Sequence, residues 1–304
     1  MQQRLAARAT RARDGATRLT ARTRARSPLV DHVVRAVGQY RARQGSTLAA
    51  AVTYYAFLSF FPMLALAFAA VGAISAYAPD ARQSLEQGLQ AVLPGMIGAG
   101  QGRLSLSTIE SAAAPVAGLG GLAVLYSGLG WIGNMRSALQ AMFDTPLRDR
   151  PGFVTGYARD LVVLVVIGVV LVLGVALTGL VTGFSTRIAE FIGLQTGLAW
   201  LLQALSLALG VLASTVLFTV MFRLLAEPPV SAGAVRSGAL LGGVSFEVLK
   251  QASTWLLAST TRQPAFQAFG IALILLVWIY YFSRVVMFAA AWARTARSPG
   301  AVKG

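Results

Sequence analysis

Apolar stretches almost free of charge alternate along the chain with short segments that hold nearly all of its ionisable side chains. The stretches cover 45–78, 111–135, 161–186, 191–222, 237 to about 260, and 263–283. A hydrocarbon core of about 30 Å is crossed by about 20 helical residues, so each stretch is long enough to span it. The first and fourth exceed that length and are expected to tilt or run past the bilayer. Backbone polar groups must be satisfied within each segment in lipid, which selects helices. The pattern predicts an all-α, polytopic membrane helical bundle with about six transmembrane helices.

Between and before the spans the periodicity changes. Val33, Val34, Val37 and Tyr40 recur at helical spacing, with Asp31, Arg35 and Arg41 at the intervening positions. This predicts a short helix in the membrane interface leading into the first span. In the longest loop Leu85, Leu89, Val92 and Leu93 form a second amphipathic repeat, ended by Pro94-Gly95. It reads as a helix resting on the outer interface or capping the bundle. The pairs Gly179/Gly183 and Gly238/Gly242, and the variant Ala117/Gly121, allow close approach of helix backbones.

Charge then orients the bundle. Of the 26 basic residues, 11 are arginines in the first 43 positions, and the formal net charge is +15. With the N-terminus inside, Arg136, Arg148, Arg150, Arg159, Arg223, Arg236, Arg284, Arg294, Arg297 and Lys303 also fall inside. Only Arg82, Arg103, Arg187 and Arg262 fall outside. This bias predicts cytoplasmic N- and C-termini. The expected organisation is a disordered basic arm (1–28), a six-span domain (29–293) and a cytoplasmic tail (294–304). The arm, built from Ala, Arg and Thr, shares the composition of a mitochondrial transit peptide, but nothing else points to an organelle. Its expected partners are membrane lipids, through anionic headgroups, and no specific nucleic acid. Oligomerisation is left open.

Composition removes several chemistries. The chain is 56% hydrophobic and 12% charged, with a mean hydropathy of +0.65. It has no cysteine and a single histidine, His32, ahead of the first span. Thiolate nucleophiles, Cys-ligated metals and multi-histidine metal sites are excluded, and no metal or cofactor is expected. The motifs of metalloproteases, serine hydrolases and P-loop or dinucleotide-binding enzymes are absent too.

One span differs from the others. Glu247 and Lys250 lie near the middle of the fifth stretch, where a charge costs roughly 2.5–3.5 kcal/mol on insertion scales. At i and i+3 they share a helix face and can neutralise each other. A substrate pathway would add Gln251 and the first-span groups Tyr54, Tyr55 and Ser59; a structural ion pair is the alternative. Pro62 predicts a kink in the first span. Tyr54-Tyr55, Trp278 and Tyr280-Tyr281 read as interface anchors or cavity lining.

The segment AAAVTYYAFLSFFPML (49–64) resembles the signature of the YihY/BrkB virulence-factor family of bacterial inner-membrane proteins. Leu224-Leu225 before Glu227-Pro228, Gly238-Ala239, Phe269-Gly270 and LLVWIYYFSRVVMFAA (275–290) follow in the family's order, so the resemblance covers about 30–292. It implies a multi-pass protein of the cytoplasmic (inner) membrane. One departure is Ala289-Ala290-Ala291, where the family pattern reads Gly-Ala-Glu. Members once carried the label ribonuclease BN, a metal-dependent chemistry that one histidine cannot support. The expected function is therefore non-enzymatic. The leading reading is a transporter or a lipid or amphiphile translocation protein, working along the Glu247/Lys250 face. The alternative is a non-transporting membrane scaffold or envelope-assembly factor, and an intramembrane enzyme ranks behind both.

Overall fold

A computed structural model describes residues 27–74, 119–146, 199–260 and 264–296, with shorter pieces between 83 and 93 and between 155 and 169. All regular elements among the described residues are helical. They are α1 (Pro28–Ala42), α2 (Gly45–Ile74), α3 (Leu119–Phe143), α4 (Ala199–Met221) with a π-helical turn (Phe222–Ala226), α5 (Ala232–Thr260) and α6 (Pro264–Thr295). Most of the predicted third span lies outside the described residues, as do the arm, Gly179, Gly183 and Ala117.

The long helices overrun the apolar stretches. α3 continues to Phe143, α5 starts at Ala232, and α6 reaches Thr295. A helical backbone satisfies itself in lipid and in water alike, so loss of apolar composition ends the span without ending the helix. α2 runs unbroken through Pro62 for 30 residues, about 45 Å.

α1 begins on Pro28, whose missing N–H costs nothing in a first turn, and Asp31 and Arg35 pair one turn apart at 3.1 Å. It docks on the end of α6 through His32 and on the end of α3 through Gln39, which donates to the Met142 carbonyl at 3.0 Å. His32 Nε2 donates to the Trp292 carbonyl at 3.0 Å, its ring lies 3.8 Å from the Trp292 ring, and Ala36 is fully buried. Leu29, Val30, Val33 and Val34 stay exposed, as an interfacial helix requires. The chain then turns into α2 at Gln44, which is left-handed, and Gly45. A Cβ on Gly45 would stand 2.5 Å from the Tyr40 ring, so only glycine fits this corner.

In the bundle α5 packs between α4 and α6, α6 reaches across to α2 and α3, and α2 pairs with α3. Small residues set the two α5 contacts. A Cβ on Gly238 would lie 2.6 Å from both the Ala289 carbonyl oxygen and the Ala293 methyl of α6, and one on Gly242 would enter the Phe218 ring of α4. This GxxxG pair thus serves one partner helix with each glycine. Around it lies an aromatic core in which Phe246 and Phe282 are 5.1 Å apart and Trp278 stacks on Phe282 at 5.8 Å. In the long loop Leu93 is buried in the core and Leu89 packs against it.

The outer surface is apolar where a soluble bundle would be polar. Leu58, Val165, Leu212, Val216, Val244, Val248, Leu273 and Val277 are all exposed. Exposed aliphatic side chains on α1, α2, α4, α5 and α6 suit a lipid surround. Two helical segments among the described residues, Ala204–Ala226 and Ala272–Thr295, are individually long and apolar enough to cross a membrane.

Candidate functional site: the intramembrane ion pair of α5

Glu247 sits midway along α5 and faces α4. Its Oε1 is 2.6 Å from Lys250 Nζ, one turn along the same face, and accepts a hydrogen bond from Ser214 Oγ at 2.8 Å. Gly210, one turn before Ser214, leaves room for the carboxylate: a Cβ there would stand 3.0 Å from it. The Glu247 side chain is 8% exposed and that of Lys250 18%. The Lys250 ammonium also lies 5.2 Å from the centre of the Phe246 ring, a cation–π distance. Burial of two charges is tolerable because each meets the other and a further polar or π partner.

The other sequence candidates distribute around this pair without closing on it. Gln251 is exposed beside Lys250 on α5. Tyr54 and Tyr55, 59% and 40% exposed, look out of the bundle and pack edge-on against each other at 5.3 Å. Ser59 is buried in α2. The polar groups that meet Glu247 come from α4, as Ser214, and from its own helix, as Lys250. Buried Thr53 instead donates to the Ala49 carbonyl at 2.7 Å and to Ser283 of α6 at 3.3 Å. Trp278 is buried in the aromatic core, whereas Tyr281 is exposed.

Sequence reasoning missed a second tier of ion pairs at the ends of the helices. Asp144, left-handed at the end of α3, pairs with Arg43 and with Arg294 and accepts from Gln39 Nε2 at 3.1 Å. It thereby ties α1, the α1–α2 turn and α6 to α3. Asp160 takes both arms of Arg136, at 2.9 and 3.1 Å. Arg159 donates to the Leu224 carbonyl at 2.7 Å and meets Glu227 at 2.5 Å, gripping the π turn. Burial raises the Asp160 carboxyl above its ordinary value, against the opposing hydrogen bond and charge of Arg136 and the charge of Arg159. The available signal was scarcity. With only 11 acidic residues against 26 basic ones, each acid next to a span end was a candidate partner for an arginine.

Among the described residues no three His, Cys, Asp or Glu side chains are grouped to hold a metal ion. The site offers a fixed carboxylate and, beside it, a cation with a more open side. The Ser214 hydroxyl is hydrogen-bonded to that carboxylate, with the Lys250 ammonium one turn away on α5.

Comparison with known proteins agrees with this architecture. The family described as virulence factor BrkB matches residues 36–302. The chain belongs to the BrkB family. An inner membrane protein of Escherichia coli K12, YhjD, is 32% identical over 283 residues, covering 89% of this chain and 82% of its own length. An uncharacterised protein of Dickeya dadantii strain 3937 is 30% identical, covering 88% of this chain and 84% of its own. No solved structure matches. This BrkB-family chain is an inner-membrane helical bundle. Ala291 is fully buried against its neighbours.

Proposed function

We propose that this BrkB-family protein translocates lipids or other amphiphiles across the cytoplasmic membrane, with the charged headgroup passing along α5 at Lys250. The observation that carries the reading is an asymmetry at mid-membrane. The Glu247 carboxylate is closed off by Ser214 and Gly210, whereas Lys250 is less buried and Gln251 beside it is exposed. A polar surface at that depth is costly unless water or a polar substrate meets it. A passing anionic headgroup could exchange with Glu247 at the ammonium, while Ser214 keeps a hydrogen bond on the carboxylate. The arginine-rich arm and helix ends support a cytoplasmic location for both termini and for the surface that contacts anionic lipid. No catalytic step is assigned.

A second reading, a non-transporting membrane scaffold, is favoured by the enclosure of Glu247 itself, which also describes a pin between α4 and α5. The variant Glu247→Gln/Lys250→Met separates the two because it keeps the shape and removes both charges. The protein is reconstituted into vesicles with a fluorescent phospholipid, and movement is read by quenching from outside. Translocation requires movement by the wild type and its loss in a folded double variant. Movement that survives in the double variant refutes the assigned pathway, and none by the wild type favours the scaffold.

A further inference from the structure

A cleft of about 470 Å³ opens between α1, the start of α2, the first half of α5 at Leu241 and Ser245, and the second half of α6 from Tyr281 to Ala289, on a different face of α5 from Glu247. Its polar lining comes from Arg41, Arg284, Tyr40, Ser46, Ser245 and Tyr281, and among the described residues no acidic side chain lines it. The remainder is apolar, with Val37, Leu241, Val285 and Phe288. Arg41 is exposed, and neither it nor Arg284 meets a carboxylate among the described residues. This contrasts with Arg35, Arg43, Arg136, Arg159 and Arg294, each of which does. Arg284 is instead oriented by neutral groups. Its Nε donates to Tyr40 Oη at 3.4 Å, its guanidinium lies 5.7 Å from the centre of the Tyr280 ring, and Tyr40 Oη lies 3.1 Å from Ser46 Oγ.

We infer that this cleft binds the phosphate headgroup of an anionic phospholipid between Arg41 and Arg284. Two guanidiniums without carboxylate partners among the described residues, lining one cleft with the hydroxyls of Tyr40 and Ser46, match the oxygens of a phosphate ester in charge and in hydrogen bonding. The lipid rather than a free anion is assigned because the cleft is part apolar and because of what continues from it. Val244 and Val248 of α5 and Leu273 and Val277 of α6 are exposed along the same two helices toward the membrane centre, a surface for an acyl chain. The interfacial helix α1 supplies Arg41, Tyr40 and Val37, so a bound lipid would fasten α1 to the bundle. Basic pockets between membrane helices on the positive-inside face suit such headgroups. The assignment stands apart from translocation, because it requires binding and no flux.

The test uses the full chain in detergent, titrated with phosphatidylglycerol, phosphatidylcholine or inorganic phosphate, with adducts counted by native mass spectrometry. Expected is retention of phosphatidylglycerol over phosphatidylcholine, reduced at least tenfold in Arg41→Gln/Arg284→Gln. Tyr40→Phe, which removes the Arg284 contact but neither charge, is expected to lose about threefold or less. If the double variant does not fold, Arg41→Gln alone decides, since Arg41 is exposed and its loss is expected to reduce retention by about threefold or more. Retention unchanged in the arginine variants, or equal for the two lipids, overturns the inference. Displacement of the lipid by equimolar inorganic phosphate overturns the choice of a lipid.

Discussion

Removing Lys250 tests the energetics of the α5 site most simply. In Lys250→Met the ammonium 2.6 Å from Glu247 is lost, and a carboxylate only 8% exposed keeps Ser214 as its one described partner. Breaking a buried pair by removing one member costs about 3–5 kcal/mol. The lower end applies here, because Lys250 is 18% exposed and Glu247 can take up a proton instead of remaining charged. At about 2–4 °C per kcal/mol, a cost of about 3 kcal/mol lowers the unfolding midpoint by about 6–12 °C. Glu247→Gln should cost less, since the lysine can redirect its head toward water along its flexible stem. The double variant Glu247→Gln/Lys250→Met should recover most of the loss, because no uncompensated charge remains. Thermal unfolding in detergent, followed by tryptophan fluorescence, reads all three. Midpoints of both single variants within about 2 °C of wild type, or a double variant whose loss equals their sum, would refute the coupling.

Other outcomes follow from the same geometry. Gly238→Ala places a methyl against the Ala289 carbonyl and Ala293, and should cost about 1–3 kcal/mol in detergent unfolding. Gly233→Ala, on the same helix with nothing within 4 Å, should be neutral or slightly stabilising. Asp144→Ala frees Arg43 and Arg294 and leaves Gln39 only the Met142 carbonyl, so amide exchange in α1 should accelerate while the middle of α5 keeps its protection. Because burial raises the Asp160 carboxyl, the folded state holds a proton there that the unfolded state has released between the ordinary and the raised value. Stability contributed by this group is therefore full below the ordinary aspartate range and falls as pH rises through the raised value. Asp160→Asn should remove that slope in unfolding midpoints measured against pH.

What could be read from the sequence divides along physical lines. Two membrane spans were legible because lipid excludes charge: the stretches 191–222 and 263–283 overlap the helical segments Ala204–Ala226 and Ala272–Thr295 that are long and apolar enough to cross. The Glu247–Lys250 pair was legible because its partners are one turn apart on one helix. Ser214 was not, since choosing α4 over α2 as the facing helix depends on Gly210, Gly242 and Gly243 fitting against or around their partners. The aromatic core around Phe246 was equally hidden. In a bilayer the outer surface is as apolar as the interior, so apolar periodicity loses its contrast. For the same reason the valines of α1 pointed to its lipid side while Ala36 and His32 marked the packed one. Asp144 pairs with Arg43 and Arg294 across large sequence separations, which no local spacing reveals.

The central claim is that the open side of the α5 ion pair carries a charged headgroup across the membrane. Its most direct test is phospholipid movement in proteoliposomes bearing wild type or Glu247→Gln/Lys250→Met, at matched amounts of folded protein. Movement is expected with wild type and at least a tenfold slower rate with the double variant, for about 1.4 kcal/mol or more of lost stabilisation. Equal rates in the two samples, or no movement above protein-free vesicles with wild type, would contradict it.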